Sequence, residues 1–430
     1  MSSETAQNKE KIVLLLLASI QFAHVMDFMV MMPLGPQLMR IFNMTPTQFG
    51  HIVSAYGISS GIAGLLVAPF IDRYDRKFFL KICLIGLFAG TLLCGLAPSA
   101  EVLMIARAVA GFFGGILGGL VQAIISDVFP PERRGFAISR TMAAFSIASV
   151  FGVPIGLTLA NHSGWHMPFL IVAGLLSAIF VAVQMRFPTL TGHIDPNSTA
   201  AQRIKQISGL LGERNAQIGL LATLCIIFGQ FMVIPFISPH LVKNLGFSET
   251  QLPLVYFFGG LTSIFTLPLI GKFTDKLTPS RTFPVGVLAS VIPLFGLTHL
   301  TTHNSVVILS VTTLFMVCMG GRMVPFMSLL SNVVEPRKRG AYLSLNASVQ
   351  SIAQGGAALL AAELVTNGPN GELLGYGTAG WLAAVFSFAT LFFGFQIAKA
   401  SARSKQQTDS KMPLRPQPTS ESVDPTLPAG

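Results

Sequence analysis

Residues 68–77 read Ala-Pro-Phe-Ile-Asp-Arg-Tyr-Asp-Arg-Lys, a short charged stretch between two long apolar runs. A related stretch, Gly-Lys-Phe-Thr-Asp-Lys, occupies residues 271–276, again between apolar runs, so Asp72 and Asp275 lie 203 residues apart. Other residues repeat at nearly the same offset. These pairs are Phe28 and Phe231, Met29 and Met232, Val30 and Val233, Pro36 and Pro239, and Ser139 and Ser344. An apolar chain with such an internal repeat predicts a membrane protein built from two related bundles.

The composition supports a membrane location for most of the chain. Hydrophobic residues make up 51% of it and charged residues only 11%, whereas soluble proteins carry about 25% charged residues. Runs of about 20 apolar residues predict an all-α fold with twelve transmembrane helices in two six-helix bundles. The predicted helices are near residues 12–35, 48–71, 78–97, 101–127, 136–160, 165–187, 215–238, 250–273, 282–302, 304–333, 340–365 and 377–398.

The net charge of +10 is an orientation signal and not the mark of a nucleic-acid-binding protein. If the N-terminus is cytoplasmic, 24 of the 28 Lys and Arg residues fall on the cytoplasmic side, and Arg40 and Lys243 fall on the outer side. The remaining two, Arg107 and Arg322, lie within apolar segments. This positive-inside asymmetry predicts a multi-pass protein of the cell (inner or plasma) membrane with both termini in the cytoplasm.

The chain divides into two halves and two polar segments. We expect a first bundle over residues 1–187, a cytoplasmic linker over 188–214, a second bundle over 215–399 and a disordered cytoplasmic tail over 400–430. The first apolar segment is too long for a cleavable signal core, so we expect it to remain as helix 1. The four cysteines have no metal-ligand spacing and no nucleotide-binding loop is present, so we predict no cofactor, no metal and no enzyme activity.

The first charged turn carries a family signature. Asp72, Arg73 and Arg76 match the Gly-x-x-x-Asp-Arg-x-Gly-Arg-Arg/Lys pattern of the major facilitator superfamily, although Ala68 and Asp75 replace its two glycines. The chain resembles this superfamily over all twelve helices. The resemblance implies that the charged turns latch the cytoplasmic side of a carrier in one of its two states; the alternative is that they only fix the topology. The predicted gating residues are Asp72, Arg73, Arg76, Asp275 and Lys276.

Helices 4 and 5 carry two further elements of the resemblance. Arg107 is followed by glycines at three- and four-residue spacing, like the family's Arg-x-x-x-Gly pattern, which lets a neighbouring helix approach closely. An arginine this near a helix end can instead extend to the outer surface. Gly152-Val-Pro154-Ile-Gly156 resembles the Gly-Pro-x-x-Gly-Gly element of antiporters in this superfamily, with one extra valine, and favours export over import. The alternative is that these glycine and proline residues only kink and pack the helix.

Asp27 is the most informative single residue, because an ionised carboxylate inside an apolar helix is costly and marks a functional site. Burial disfavours its charged form and a nearby cation such as Arg107 favours it, so this group can gain or lose a proton as its surroundings change. His24 lies one helical turn earlier on the same face. We predict proton coupling by Asp27, Arg107 and His24, with a structural ion pair and a structural histidine as the alternatives. The repeat counterpart Gln230 cannot titrate.

Polar residues in the helices that usually line the central space of this superfamily are predicted to bind substrate. They are Tyr56, Gln122, Gln230, Arg322, Asn346 and Gln350. Arg322 is the second cation in an apolar segment, and it either binds an anionic or carbonyl-bearing group or pairs with a polar neighbour. Asp127, at the end of helix 4, is expected to cap that helix or to pair with the turn at residues 132–134.

These residues and the resemblance together predict proton-coupled export of a small organic molecule by alternating access, similar to the drug and sugar exporters of the superfamily. The expected partners are a small-molecule substrate, protons and the lipid bilayer, and the resemblance implies that a monomer suffices. Three alternatives stay open: a proton symporter for nutrient uptake, an uncoupled facilitator, and a membrane sensor that transports nothing.

Overall fold

The computed structural model describes residues 3–67, 70–192, 194, 200–335 and 338–411 of the 430-residue chain. This part is almost entirely helical. Its helices are α1 (Ser3–Val30), α2 (Gly35–Ile41), α3 (Pro46–Val67), α4 (Arg76–Gly95), α5 (Ala100–Val128), α6 (Pro131–Ile147), α7 (Val153–Ser163), α8 (Met167–Arg186), α9 (Ala200–Gly212), α10 (Arg214–Phe231), α11 (Ile237–Lys243), α12 (Leu252–Leu277), α13 (Pro279–Thr298), α14 (Ser305–Leu330), α15 (Arg339–Leu364) and α16 (Tyr376–Lys411).

Eleven helical segments of the described chain are long and apolar enough to cross a membrane. α15, with 26 residues, is the twelfth such segment. It is less apolar than the others because its small and polar side chains face other helices. Large apolar side chains cover the outside of the bundle; Leu15, Ile292 and Val306, for example, are 68%, 73% and 72% exposed. The predicted fold, a multi-pass membrane protein with two six-helix bundles, is confirmed.

Three of the predicted membrane segments are interrupted. α1 and α10, the first helices of the two halves, each stop and continue as a short helix, α2 and α11 respectively, which the repeat brings to equivalent places. The fifth segment changes from α6 to a π-helix at Ala148–Gly152 and resumes as α7. Pro154, in the first turn of α7, has no N–H and its ring excludes a normal turn before it, so the wider π turn accommodates the proline.

The two halves pack most closely where α3 crosses α15. Gly57 lies so near this helix that an added Cβ atom would be 2.7 Å from the backbone nitrogen of Gly355. The reverse also holds, because a Cβ on Gly355 would be 2.7 Å from the backbone nitrogen of Ile58. Ser60 donates a hydrogen bond to Ser351 at 3.3 Å beside this crossing. Small residues at three- and four-residue spacing therefore bring the two backbones into contact.

The repeat places a second contact between the halves where α12 meets the π-helix. Gly260 is the counterpart of Gly57, and a Cβ on it would be 2.9 Å from Cγ2 of Val150. Val150 is in turn the counterpart of Gly355. One interface therefore has glycine on both sides and the other has glycine against valine, so the two related contacts are unequal.

Ion pairs and aromatic rings join the halves at one end of the bundle. Arg40, in the last turn of α2, forms a bidentate ion pair with Glu249, and the backbone carbonyl of Glu249 accepts a hydrogen bond from Asn161 at 3.1 Å. The rings of Phe49 and Phe236 meet edge to face there, with 6.1 Å between centroids. We call this end the Glu249 end and the opposite end, where α5 finishes at Asp127, the Asp127 end.

At the Asp127 end, the ion pairs of the described chain stay within one half. Arg133 pairs with Glu10 at 2.6 Å in the first half, and Lys338 pairs with Glu213 at 2.6 Å in the second. The hydrogen bond to Glu213 raises the pKa of Lys338 above its usual range. The described residues thus show a bundle whose halves are fastened to each other at the Glu249 end and along α3 and α15.

The sequence analysis did not predict the short hairpin after α15, the helix within the linker or the full length of the last helix. Strands β1 (Thr366–Asn367) and β2 (Leu373–Leu374) form an antiparallel hairpin between α15 and α16, with Thr366 paired to Leu374. α9 lies within the predicted linker, and α16 continues to Lys411. The rest of the predicted tail, residues 412–430, lies outside the described residues, and the domain boundaries stay predictions.

Replacing Gly57 by alanine tests the close approach of α3 and α15. Because a methyl group has no room against Gly355, we expect overpacking to cost about 1–3 kcal/mol and to lower the apparent midpoint of thermal unfolding of the detergent-purified protein. Gly174→Ala in α8 is the matched control, since nothing lies within 4 Å of a Cβ at that position. Equal midpoints for the two variants would contradict the tight helix crossing.

Candidate functional site

Asp27 lies on α1 inside the first half and is completely buried. Its Oδ1 atom accepts a hydrogen bond of 2.7 Å from the hydroxyl group of Thr91 on α4. Its Oδ2 atom lies 3.2 Å from Nη1 of Arg107 on α5. Both carboxylate oxygens therefore receive a donor, which is the arrangement that an ionised carboxylate needs where water is excluded.

Arg107 is held inside the bundle and does not reach the surface. It is 1% exposed, and its Nη1 atom also donates to the backbone carbonyl of Asp27 at 2.9 Å. The guanidinium carbon lies 4.2 Å from the centre of the Tyr56 ring, so the cation also contacts an aromatic face. The Nε atom of Arg107 has no hydrogen-bond partner among the described residues. The alternative that this arginine extends to the outer surface is therefore wrong.

Glycines bring the neighbouring helices close enough to form this site. A Cβ on Gly111 of α5 would lie 2.8 Å from the Cα atom of Tyr56, so α3 and α5 touch at that point. Gly152, in the π-helix, lies directly against the sulfur atom of Met26, the residue before Asp27. The glycines of the Arg-x-x-x-Gly pattern and of the antiporter-like element thus have a packing role on two sides of the carboxylate.

His24 and the hydroxyl group of Tyr56 meet over Gly114. A Cβ on Gly114 would lie 2.6 Å from the Tyr56 hydroxyl oxygen and 3.0 Å from Cδ2 of His24. Neither the Nδ1 atom of His24 nor the hydroxyl group of Tyr56 has a hydrogen-bond partner among the described residues, and both atoms are buried. Two polar groups with unused hydrogen-bonding capacity therefore lie next to the Asp27–Arg107 pair.

The second half has a buried arginine without a carboxylate partner among the described residues. Arg322 of α14 is fully buried, and Nη1 donates to Ser290 at 3.2 Å and to Ser387 at 2.9 Å. Its Nη2 atom donates to the backbone carbonyl of Ile226 at 3.0 Å. The structure thus shows the predicted polar pairing, with neutral groups of three helices. A charge compensated by dipoles alone fastens these helices together, and the Nε atom of Arg322 has no hydrogen-bond partner among the described residues.

The other predicted substrate-binding residues divide into two groups. Asn346 is buried between α15 and α10, where its side-chain oxygen accepts a hydrogen bond of 2.6 Å from Thr223. Gln230 and Gln350 are half-buried and Gln122 is exposed. Within the described part of the chain, the side chains of these three residues form no hydrogen bond. The structure therefore places Asn346 in a helix contact and leaves the three glutamines available to a ligand.

One face of α5 leads from Arg107 toward the Asp127 end. Gly118 and Gln122 follow Arg107 on this face at helical spacing, and nothing lies within 4 Å of a Cβ built on Gly118. The same helix therefore carries the buried cation at one level and an open, glycine-lined surface with a polar side chain further along.

The first predicted gate has one clear ion pair. Arg76 is 3% exposed, and its Nε atom donates to Asp127 at 2.8 Å while Nη1 donates to the carbonyl of Ile71 at 3.0 Å. Asp127 therefore pairs with the charged turn after α3. In the turn at residues 132–134, which was the other expected partner, Arg134 donates to the backbone carbonyls of Phe129 and Ser126.

The remaining gating residues are less constrained. Arg73, Asp275 and Lys276 are exposed at the Asp127 end. The side chain of Asp72 lies outside the described part of the chain. Asp75, which replaces a glycine of the family pattern, caps α4 by accepting from the backbone nitrogen of Lys77 at 3.1 Å and from that of Leu190 at 2.9 Å. This substitution thus fastens the charged turn to the segment that follows α8.

Sequence reasoning missed the hydroxyl groups that complete both buried sites. Thr91, Ser290 and Ser387 are all fully buried, yet each is one of many Ser and Thr residues in the apolar segments. Their positions opposite an ionisable group depend on how α4, α13 and α16 pack, and no local pattern records this. Among the described residues, no cluster of histidine, cysteine and carboxylate side chains could hold a metal ion.

Comparison with known protein families adds a family assignment to this geometry. The family model described as "Major Facilitator Superfamily" matches residues 17–358, and a second match covers residues 219–421. Together the matches span nearly all of the membrane-spanning chain, and the second falls on the second half of the repeat.

The chain is also similar to individual proteins, at low sequence identity. The chain is 22% identical over 355 residues to the uncharacterized MFS-type transporter YhcA of Bacillus subtilis (strain 168), covering 69% of this chain and 65% of that protein. It is 25% identical over 311 residues to Multidrug resistance protein 1 of the same organism, covering 71% of this chain and 77% of that protein. A crystal structure of a D-xylose-proton symporter superimposes with a TM-score of 0.73 at 19% identity, covering 89% of this chain and 96% of that one, and this likeness shows the fold.

Removing one member of the buried ion pair tests how strongly the site depends on charge compensation. In Arg107→Met, Asp27 keeps only the Thr91 hydroxyl group, and we expect a loss of about 3–5 kcal/mol because an unpaired charge remains buried. The double variant Asp27→Asn/Arg107→Met should regain much of this stability. Thermal unfolding of the purified proteins measures both effects.

Arg40→Gln is the control for losing an arginine from an ion pair. The side chain of Arg40 is 63% exposed, and exposed pairs contribute about 0–1 kcal/mol. If Arg107→Met unfolds no earlier than Arg40→Gln, the Asp27–Arg107 pair does not stabilise the first half in the way its burial indicates.

Proposed function

The chain belongs to the major facilitator superfamily of membrane transporters, and on that premise we propose that it exports small organic molecules in exchange for protons. The observation that carries this proposal is the fully buried pair of Asp27 and Arg107. The chain is a transporter and not an enzyme, as its family shows. The substrate, the proton coupling and the direction of transport are the proposed part.

Asp27 is the proposed proton carrier, because it is an ionisable acid at the centre of a bundle half. In the arrangement described, Thr91 and Arg107 both donate to its carboxylate and favour the ionised form, while burial favours the protonated form. Binding of a proton would remove the ion pair and leave Arg107 with the backbone carbonyl of Asp27, the Cys94 thiol and the ring of Tyr56. The two protonation states therefore favour different packing around α1, α3 and α5, which is what coupling to a conformational change requires.

Because the two halves are joined at the Glu249 end, we propose that this arrangement is the step of the transport cycle in which that end is closed. With the orientation that the positive-inside rule predicts, the Glu249 end faces outward and the Asp127 end faces the cytoplasm. Fastening by Arg40 and Glu249 then corresponds to a carrier that is closed to the outside. In this state, we propose that the carrier releases its proton inward and takes up substrate from the cytoplasm.

Gating at the cytoplasmic side is proposed for the two charged turns. Arg76 already joins the first turn to Asp127 at the end of α5, while Asp275 and Lys276 of the second turn are exposed and free to meet new partners. When the halves close at this end, we expect the exposed charges to pair across the interface and the Arg40–Glu249 pair to open.

Two observations support export over uptake. The similarity to Multidrug resistance protein 1, a protein named for resistance to drugs, covers 71% of the chain. The antiporter-like glycines also lie in contact with α1 beside the proposed proton site, where Gly152 touches Met26 and Gly156 approaches Val30. We propose that the half-buried Gln230 and Gln350, together with Gln122, contact the substrate, because they combine unused amide groups with open surroundings.

Everted membrane vesicles with an acidic interior test the exchange. A panel of cationic, neutral and anionic compounds is added while a pH-sensitive dye reports the proton gradient. We expect at least one compound to dissipate the gradient with the wild type and not with Asp27→Asn, because the amide cannot carry a proton. Glu101→Gln is the matched control, since Glu101 is an exposed carboxylate at the start of the helix that carries Arg107.

The outcomes separate the alternatives. Equal dissipation by the wild type and Asp27→Asn would contradict proton transfer through Asp27. Accumulation of a labelled compound in intact cells, lost in Asp27→Asn, would identify uptake with protons instead of export. Transport that continues in both proteins without any gradient would identify an uncoupled facilitator.

A further inference from the structure

A continuous series of contacts leads from the buried ion pair to the opposite half. The Arg107 guanidinium lies 4.2 Å from the centre of the Tyr56 ring. The Tyr56 ring contacts the ring of Phe28 with 5.4 Å between centroids. The Phe28 ring in turn faces Phe231 of the second half, with centroids 6.2 Å apart. Three rings therefore span the distance from the cation of the first half to α10.

We propose that Tyr56 is a positioning residue that transmits the protonation state of Asp27, through Phe28, to Phe231 of the second half. This inference rests on the proposed function and adds the route by which the proton site acts on the contact between the halves. It also gives Tyr56, which the sequence predicted to bind substrate, a different role.

The position of Phe28 makes this route direct. Phe28 is the next residue after Asp27, so a movement of the Asp27 backbone carbonyl, which accepts from Arg107, also moves the attachment point of this ring. Phe28 and Phe231 are counterparts in the repeat, and they meet where the two first helices approach each other. Phe231 is the last residue of α10, just before that helix breaks. The contact thus joins equivalent points of the two halves.

The charges around Asp27 show why Tyr56 responds to its protonation. The titratable or charged side chains close to Asp27 are Arg107 of α5, Tyr56 of α3, Cys94 of α4 and His24 of α1 itself. Arg107 is the only permanent charge in this set. When a proton neutralises Asp27, the remaining partners of this cation are a backbone carbonyl, the Cys94 thiol and the Tyr56 ring. Of these, the cation–ring contact is stronger where water is excluded.

Tyr56 contacts Arg107 and Phe28 through its ring and not through its hydroxyl group. The hydroxyl oxygen has no hydrogen-bond partner among the described residues, whereas the ring lies between the guanidinium group and Phe28. Tyr56→Phe should therefore keep the transmission, and Tyr56→Leu should lose it.

Spin labels on repeat counterparts measure the response of the two halves. Ser139 and Ser344 are both exposed and lie on α6 and α15 near the Asp127 end, so Ser139→Cys and Ser344→Cys provide the pair. Cys318→Ser is included in all proteins because Cys318 is only half-buried, while the other three cysteines are buried. The distance between the labels is measured by pulsed electron paramagnetic resonance in lipid nanodiscs from about pH 5 to about pH 9.

We expect the wild type and Tyr56→Phe to change between two distance populations as the pH falls, and Tyr56→Leu to reduce the pH-induced change in the population ratio about tenfold. Phe231→Leu should behave like Tyr56→Leu. Phe228→Leu is the matched control, because Phe228 also lies on α10 but its ring contacts Phe386 within the second half.

Three results would overturn the proposal. They are a wild-type pH response in Tyr56→Leu, a response lost equally in Tyr56→Phe, and a response lost equally in Phe228→Leu. Asp27→Asn separates this inference from the proposed function. If Asp27→Asn loses both the pH response and vesicle proton exchange while Tyr56→Leu keeps both, only the route through Tyr56 is wrong. If Asp27→Asn keeps both, proton coupling through Asp27 is wrong and the route fails with it.

Discussion

The absence of water inside a membrane is the constraint on which this structure depends. Every charge that enters the bundle must find its partner in the protein, because an isolated ion there is too costly. Asp27 and Arg107 meet this requirement with each other and with Thr91. Arg322 meets it with two hydroxyl groups and a carbonyl. The two arginines therefore differ in what they can do: one has a partner that a proton can neutralise, and the other has partners that do not titrate.

Small residues decide where the halves and helices can touch. Glycine on both sides lets α3 and α15 meet backbone to backbone, while the related contact between α12 and the π-helix has to accommodate Val150. Glycines on α5 and in the π-helix similarly admit Tyr56 and Met26 to the surroundings of Asp27. The proposed proton site and the interface between the halves are thus both built on close approaches at glycine, and α3 belongs to both.

Much of the fold was readable from the sequence, because apolar length, charge asymmetry and the internal repeat are each local patterns. The twelve segments, the two halves and the meeting of Asp27 with Arg107 follow from such patterns. The partners of Asp127 and Asn346 do not, since each depends on which helix lies opposite. Thr91 and Ser387 were missed for the same reason. Pro154 indicated an irregular fifth helix, but no pattern indicated the π turn that accommodates the proline.

All members of the proposed proton site belong to the first half: Asp27 on α1, Tyr56 on α3, Thr91 on α4 and Arg107 on α5. The residues proposed for proton coupling are therefore encoded in one contiguous stretch of the gene, and Phe231 of the second half contacts them through Phe28. Substitutions in the second half, at Gln230 and Gln350 for example, can therefore change part of the proposed substrate contacts and leave the residues of the proposed proton site unchanged. Chimeric proteins that keep the first half intact and exchange the second half would allow the same change to be made in the laboratory.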